Sequence, residues 1–351
     1  MLQKTSEPFA KVHSKALSRD FGSRLLQVRQ GVARYDAKRL EQNAPKERKV
    51  AEATFAKGSF LASLCFMVLA LCLLHGEELP LFPNGETVIF PKSATNSQMA
   101  SAVIITKNHK VIVFDGGTPG DSAHLQEMIT PYSDAVDYWF ITHPHLDHCG
   151  ALIGLFENPA SMKIQKIHNV LYSFPPEEWL LENESWTNAV TGRVYAGMRK
   201  VQAKHVILEK GNSFVIDGVR VEILNSFNLN IRNNPGNNAS IVFSVSIGDK
   251  RLLFPGDIGT EVSDNLVAEY GDALKADLVL LSHHGQNGAE KSFYEKVNPT
   301  IAVWPTPQWL WDNDNGGGPG SGPWKTNYVK CWLQEIGVKK QYVNTQDIIL
   351  K

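Results

Sequence analysis

The chain has 351 residues, 43% hydrophobic and 20% charged, a globular composition that excludes collagen-like and wholly disordered proteins. Four cysteines are too few for a disulfide framework. The net charge of -1 hides an asymmetry: residues 1–50 carry 12 Lys and Arg against 5 Asp and Glu, which leaves residues 77–351 at -8. A body of that sign binds polyanions poorly through its general field, so an anionic substrate needs a local site or a metal charge.

Residues 1–57 read as a basic polar leader without visible chemistry. Ser59–Leu74 is then a run of sixteen residues without a charge, between the length of a signal-peptide core and that of a spanning helix. Lys46, Arg48, Lys49 and Lys57 precede it, and Glu77 and Glu78 follow. The positive-inside rule then makes residues 58–76 a signal-anchor or signal peptide. It places the leader in the cytoplasm and residues 77–351 outside it, membrane-anchored or secreted. The competing reading of this run is a buried core helix.

From Thr87 onward, β-branched runs alternate with helical patterns. Strands are predicted at Thr87–Phe90, Ala102–Thr106, Val111–Asp115, Val136–Thr142, Ile164–Tyr172, Val206–Glu209, Val219–Leu224, Ile241–Ile247, Arg251–Phe254, Ala276–Ser282 and Thr300–Trp304. Helices are predicted at Ser122–Ile129, Asp147–Phe156, Thr187–Lys204, Val262–Tyr270 and Tyr328–Ile336. Gly218 and Gly248-Asp249 mark hairpin turns. The mixed order suggests an α/β domain with two sheets flanked by helices. Asp115, His143, Asp257 and His283 each fall at the end of a predicted strand, as groups sharing one strand-end cleft would.

The densest chemistry is Thr142-His-Pro-His-Leu-Asp-His-Cys-Gly150. His143 and His145, two apart on backbone kept extended by Pro144, project to one side. Asp147 and His148 fall at a helix start, where an acidic residue suits the first turn. Three imidazoles and a carboxylate within six residues supply locally most of what a divalent cation requires. A polar turn with a helix cap is the bland alternative.

The pattern His143-x-His145-x-Asp147-His148 resembles the signature of the metallo-β-lactamase fold hydrolases. The likeness continues through Phe114-Asp-Gly-Gly117, Pro255-Gly-Asp-Ile258 and Leu281-Ser-His-His-Gly285. With Asn237-Asn-Ala-Ser-Ile-Val242, it is most similar to the exported domain of the ComEC/Rec2-like branch. The resemblance implies an αββα sandwich over residues 77–351 with two metals. His143 and His145 would hold one, Asp147, His148 and His283 the other, and Asp257 would bridge. Asp115 would orient a ligand imidazole through its other nitrogen. Which of His283 and His284 ligates is open in the sequence; His284 is taken as a candidate general acid, and Asp147 as orienting the attacking water. The further His usual in this superfamily is replaced by Asn237-Asn238, so one metal or two are both compatible. Asn238 and Ser240 become candidates to meet the substrate oxyanion. The His/Asp set suits Zn, Mn or Fe, with zinc as first choice.

The resemblance implies hydrolysis by a metal-activated hydroxide, on a phosphoester of phosphodiester or nucleotide type. The expected substrate is a small molecule or single-stranded nucleic acid, and no protein partner can be inferred. The alternatives are an ester, lactone or amide hydrolase, and a catalytically inert membrane-tethered binding module. Trp304, Trp309 and Trp311 are expected either as a stacking platform or as core. Residues 312–324 read as a mobile loop beside it. Lys325, Arg193, Arg199 and Lys200 read equally as phosphate contacts or as solvated helix faces.

Overall fold

The computed structural model describes residues 81–351 apart from Pro83 and residues 185–187. The basic leader, the apolar run and the expectations of membrane attachment and export that rest on them lie outside the described residues. Among the described residues no helix is long and apolar enough to cross a membrane.

Fourteen strands are formed among these residues. They are β1 (Thr87–Phe90), β2 (Ser101–Ile105), β3 (Val111–Asp115), β4 (Ala135–Phe140), β5 (Lys166–Tyr172), β6 (Lys204–Ile207), β7 (Ser213–Ile216), β8 (Val219–Asn225), β9 (Val242–Ile247), β10 (Lys250–Phe254), β11 (Leu278–Leu280), β12 (Ile301–Trp304), β13 (Lys340–Val343) and β14 (Ile348–Leu350). One seven-stranded sheet has the order β14-β1-β2-β3-β4-β5-β6, the other β13-β12-β11-β10-β9-β8-β7. The first is antiparallel as far as β3 and parallel from β3 to β6. The second repeats the scheme, antiparallel from β7 to β10 and parallel from β10 to β13.

Alternation along β3 shows why the sheets stack. Ile112 and Phe114 face the other sheet, while Val111 and Val113 face a layer of helices. A strand covered on both sides has no wet face, so it reads as an unbroken apolar run. The outer layer of the first sheet is supplied by Leu125 and Ile129 of helix Ser122–Ile129, Leu152 and Leu155 of Leu146–Glu157, and Val194 of Asn188–Met198. Helices Thr260–Tyr270, Lys291–Val297 and Thr326–Ile336 cover the second through Leu266, Phe293 and Leu333. The result is four layers, helix, sheet, sheet, helix. Between the sheets, Phe114 stacks on Phe140 at 5.0 Å and meets Phe243 at 5.3 Å and Phe254 at 4.9 Å. Aromatic pairs of this kind contribute roughly 0.5–1.5 kcal/mol each beyond their buried area. Their placement matters more: Phe140 and Phe254 end β4 and β10 and Phe114 is the last residue but one of β3, so the packed rings bring three strand ends from two sheets together.

Several expectations are corrected. The helix expected over 187–204 ends at Met198, and Lys204 opens β6 instead. Strands β7, β13 and β14 and helices Glu177–Asn183 and Lys291–Val297 were not expected. β7 and β13 are short edge strands with exposed polar positions, which weakens the apolar pattern. Trp304 is buried in the core with Trp311 packed edge-on against it at 5.0 Å, so these two rings form no platform. Residues 312–324 form a loop tied to itself: Asp314 Oδ1 accepts from the N–H of Gly316 and Gly318, and Asn313 Nδ2 donates to the Gly322 carbonyl.

Candidate metal centre

The site begins with Asp115 at the end of β3. Its backbone is in the left-handed region, φ 52°, where a short polar side chain that can bond locally is tolerated. Oδ1 accepts from the Thr142 N–H at 2.8 Å, and Oδ2 lies 2.8 Å from both Thr142 Oγ1 and His148 Nδ1. The Trp139 indole donates to the Asp115 carbonyl at 2.8 Å. Asp115 thus joins β3 to the segment after β4 and occupies one nitrogen of His148.

The segment after β4 turns at Pro144 and enters helix Leu146–Glu157, whose first turn carries Asp147 and His148. His143 is fully buried, with Nδ1 3.0 Å from Thr142 Oγ1 and 3.2 Å from Ser240 Oγ. His145 turns Nε2 toward Glu184 Oε2 at 3.1 Å. The ring of His143 is 4.1 Å from that of His148 and 4.6 Å from that of His145. Cys149 turns into the core and its thiol donates to the His145 carbonyl; burial raises its pKa well above the ordinary value, an inert thiol.

The second sheet supplies Asp257 and the His283-His284 pair. Beyond β10, Gly256 at φ 57° carries the chain so close to Ser240 and Thr142 that an added Cβ would stand 2.8–2.9 Å from them. The Asp257 N–H then donates to Ser240 Oγ at 2.9 Å. Beyond β11, His283, His284 and Gly285 all take positive φ, 49°, 55° and 74°. Each left-handed non-glycine residue costs roughly 1–2 kcal/mol, so the turn has to be held from outside. Ser282 Oγ donates to the Ile258 carbonyl, His283 N–H to the Gly256 carbonyl, and Thr306 Oγ1 to the His284 carbonyl. His284 Nδ1 is 2.9 Å from the Pro305 carbonyl.

Ligating atoms of Asp147, His148, Asp257 and His284 all lie within 4.8 Å of one another. Nε2 of His148 stands 3.2 Å from Asp257, and Nε2 of His284 stands 3.2 Å from Asp147 and 3.4 Å from Asp257. These are ion-pair distances, but neither nitrogen has a partner in hydrogen-bonding geometry, and neither has buried His143 Nε2. Buried imidazole nitrogens without partners are costly in a protein interior. A cation would satisfy them, so the residues present fit a metal. The side chains of His148, Asp257 and His284 are at most 3% exposed, against 27% for Asp147, 15% for His283 and 13% for His145. The opening of the site is therefore on the side of Asp147, His283 and His145.

Two expectations are revised. The structure brings His284 into the four-group cluster; His283 stands 3.9 Å from Asp257 with its Nε2 3.4 Å from Asn237 Nδ2. The resemblance named His283 as a ligand while the choice between the adjacent pair stayed open in the sequence; the left-handed turn sets His284 in the cluster. Asn238, expected to meet substrate, spends both ends of its amide elsewhere: Nδ2 donates to the Asn233 carbonyl and Oδ1 accepts from the Gly259 N–H, each at 2.7 Å. Ser240, likewise expected at the substrate, binds His143 and Asp257 instead. Glu184 is the residue that sequence reasoning missed, and Asn237 was read only as part of a motif, without its place beside His283. Glu184 follows helix Glu177–Asn183 and belongs to no motif. Arg193, Arg199 and Lys325, weighed as phosphate contacts, pair with Glu157, Glu177 and Glu290. His168 and His205 lie on β5 and β6, and His205 contacts Tyr172 and the Val201 carbonyl, not the cluster.

The charges compensate one another. Burial pulls the His284 pKa down, but Asp257 and Asp147 outweigh it and leave it raised to about 9. The same contest, with Asp257 and Asp115, leaves His148 well above the ordinary range. Burial pushes Asp257 up, and the surrounding His148, His284 and His283 overcome it and hold the carboxyl well below the usual range. His143 is driven well down, first by burial and then by His148 and His145. Protons thus sit where a cation would sit, and binding one would displace them.

The family model described as the metallo-beta-lactamase superfamily matches residues 97–303. The chain belongs to that superfamily. Among curated relatives of this metallo-beta-lactamase superfamily member, the uncharacterized protein YcaI of Escherichia coli (strain K12) is 24% identical over 214 residues, 58% of this chain and 23% of that protein. Competence protein ComA of Neisseria gonorrhoeae is 32% identical over 115 residues, 32% of this chain and 16% of that protein. The chain thus spans less than a quarter of either relative's length. Among solved structures, the metallo-beta-lactamase fold protein YhfI from Bacillus subtilis aligns with TM-score 0.46 and 8% identity, over 75% of this chain and 98% of that one. Zn(2+)-bound PqqB from Methylobacterium extorquens aligns with TM-score 0.43 and 13% identity, over 76% of this chain and 99% of that one.

Proposed function

We propose that this chain is a metal-dependent phosphodiesterase, with zinc as the first choice of ion and a small or single-stranded nucleic-acid-like substrate, working outside the cytoplasm. The observation that carries the reading is the cluster of Asp147, His148, Asp257 and His284, in which the buried Nε2 atoms of both histidines have no hydrogen-bond partner. A divalent cation held there lowers the pKa of water and polarises the oxygen that the water attacks.

The chain's own residues supply the rest. Asp115 locks His148 through Nδ1, and the Pro305 carbonyl locks His284 in the same way, so each presents Nε2 to the cluster. Ser240 fixes His143 and the Asp257 backbone together. Asp147 is the cluster member most open to solvent, the place from which a carboxylate orients water or accepts its proton. His283 at the opening and the buried Asn237 beside it would hydrogen-bond a phosphoryl or leaving-group oxygen, the part first given to His284 and Asn238. The likeness to a competence protein supports a nucleic-acid phosphodiester over a carbonyl substrate, and the net charge of the body favours a short or single-stranded one over a long duplex. The charge bracket around residues 58–76 supports a tethered domain outside the cytoplasm.

Full-length protein loaded with Zn, Mn or Fe and offered bis-p-nitrophenyl phosphate beside panels of esters and thiolactones tests the reaction. Phosphodiester turnover that disappears on chelation and returns with metal is expected. Silence on phosphodiesters with strong ester turnover reverses the substrate class. A reporter fused after Glu78 that works only in the cytoplasm refutes the location.

A further inference from the structure

Glu184 lies outside every motif that identifies the superfamily. It closes helix Glu177–Asn183, where a carboxylate meets the negative end of the helix dipole, and its side chain is fully buried. Both circumstances disfavour an anion unless partners hold it. Two partners bear on the metal centre: Oε2 is 3.1 Å from His145 Nε2, and Oε1 accepts from the Gly236 N–H at 3.3 Å. The approach depends on Gly236 being glycine, since a Cβ there would stand 2.4 Å from both His145 Nε2 and Glu184 Oε2.

The consequence falls on His145. With the Nε2 proton donated to Glu184, its lone pair is on Nδ1, which has no hydrogen-bond partner among the described residues. Beside it is His143, locked through Nδ1 by Thr142 and Ser240 and carrying an unpartnered Nε2. Two imidazoles, each fixed by one nitrogen and offering the other, therefore stand together next to the four-group cluster. No third imidazole joins them among the described residues; the turn at 235–238 lays Gly236 against His145 and sets Asn237 beside His283, and an amide is a weak ligand.

We propose that Glu184 is a positioning residue which prepares His145 Nδ1, together with His143 Nε2, as a second and weaker cation position, its buried charge compensating for the missing third imidazole. A carboxylate on the far nitrogen fixes the tautomer and ring orientation and makes the ligand nitrogen more basic. Gly236 is part of the device, because it lets the turn lie against the Glu184–His145 pair. The proposal rests on the metal-hydrolase reading above.

The test is a titration of metal-free, full-length protein with Co2+, followed by its visible absorption bands and by the thermal midpoint. Wild type is expected to take one tight equivalent and one weaker. E184Q should weaken the second equivalent about 10–100-fold and leave the first equivalent unchanged, with the midpoint lowered by loss of the buried pair. G236A, which keeps the carboxylate but forces it off the ring, should weaken the second equivalent and spare the first in the same way, again at a cost to the midpoint. If E184Q does not fold, E184D, with the charge kept and the reach shortened, is read in the same way. Equal weakening of both equivalents, no change in either, or a wild type that takes a single equivalent overturns the proposal. A wild type that takes no Co2+ overturns the metal reading beneath it.

Discussion

Asp115 and Asp257 occupy corresponding places in the two halves of the sandwich. Each stands at or just past the end of the strand at which its sheet changes from antiparallel to parallel pairing, β3 in one and β10 in the other. The next parallel strand in each half, β4 or β11, delivers histidines. Asp115 is the last residue of its strand and turns back to hold His148 from behind; Asp257, three residues past Phe254 and carried forward by Gly256, reaches into the cluster itself. One architecture used twice places a carboxylate in two successive layers, and the number of residues past the strand end decides which layer. The first half also concentrates its groups in one six-residue stretch, whereas the second gathers Asp257 and His284 from separate strand ends.

The largest effect follows from that difference in depth. Asp257 faces His148, His284 and His283, so D257N removes the charge that all three share. D257N is expected to lose bound metal and activity by well over the 10–100-fold typical of an outer partner, and D115N by about 10–100-fold. Metal content by elemental analysis, with turnover, checks both, and equal losses would dissolve the distinction between the two aspartates. Next in size is the histidine pair. H284A is expected to abolish tight metal binding, whereas H283A keeps the metal and lowers kcat. The opposite result would return His283 to the role that the resemblance first assigned it.

The first half was legible in the sequence because its chemistry is local. His143, His145, Asp147 and His148 are read from spacing alone, and β3 and β4 from apolar runs covered on both faces. The second half was legible only to the strand end. Beyond β11, which histidine enters the cluster depends on three consecutive left-handed residues, held by Ser282, Gly256 and Thr306 from elsewhere in the chain. No local pattern records that. Asn237 and Asn238 pose the same problem, since neighbours on one turn differ only in what surrounds them. Glu184 was invisible for a different reason: a Glu at the end of a polar helix reads as surface until the fold buries it.

The next prediction concerns pH and concerns the metal-free protein. His284 has an ordinary pKa of 6.5 and a folded value raised to about 9. The folded state therefore prefers its protonated form. That stabilisation is fully present below about pH 6.5 and is lost as pH rises through about 9, on the order of 3 kcal/mol in all. His145 and His148 are raised as well and act in the same sense. The Tm of the metal-free protein should fall between pH 6.5 and 9, while the metal-loaded protein, with these protons displaced, should not follow it. Parallel Tm curves would show that the second half's histidine does not share a site with the carboxylates.

The smallest expected effect sharpens the contrast within the second half. Asn238 makes two hydrogen bonds at 2.7 Å, one to the Asn233 carbonyl and one from the Gly259 N–H, and it is buried. Removing it leaves both backbone groups unpaired in the interior, a cost of roughly 1–3 kcal/mol. N238A should therefore lower stability to urea while turnover per folded molecule stays near wild type, because the amide reaches no group of the cluster. Asn237, whose Oδ1 is unpartnered and whose Nδ2 lies beside His283, should show the converse when replaced by Ala, with stability nearly kept and KM raised. If instead N238A lost turnover at unchanged stability, the 233–259 contact would have to be transmitting position to Asp257 through Gly259. The two halves would then differ less than their geometry implies.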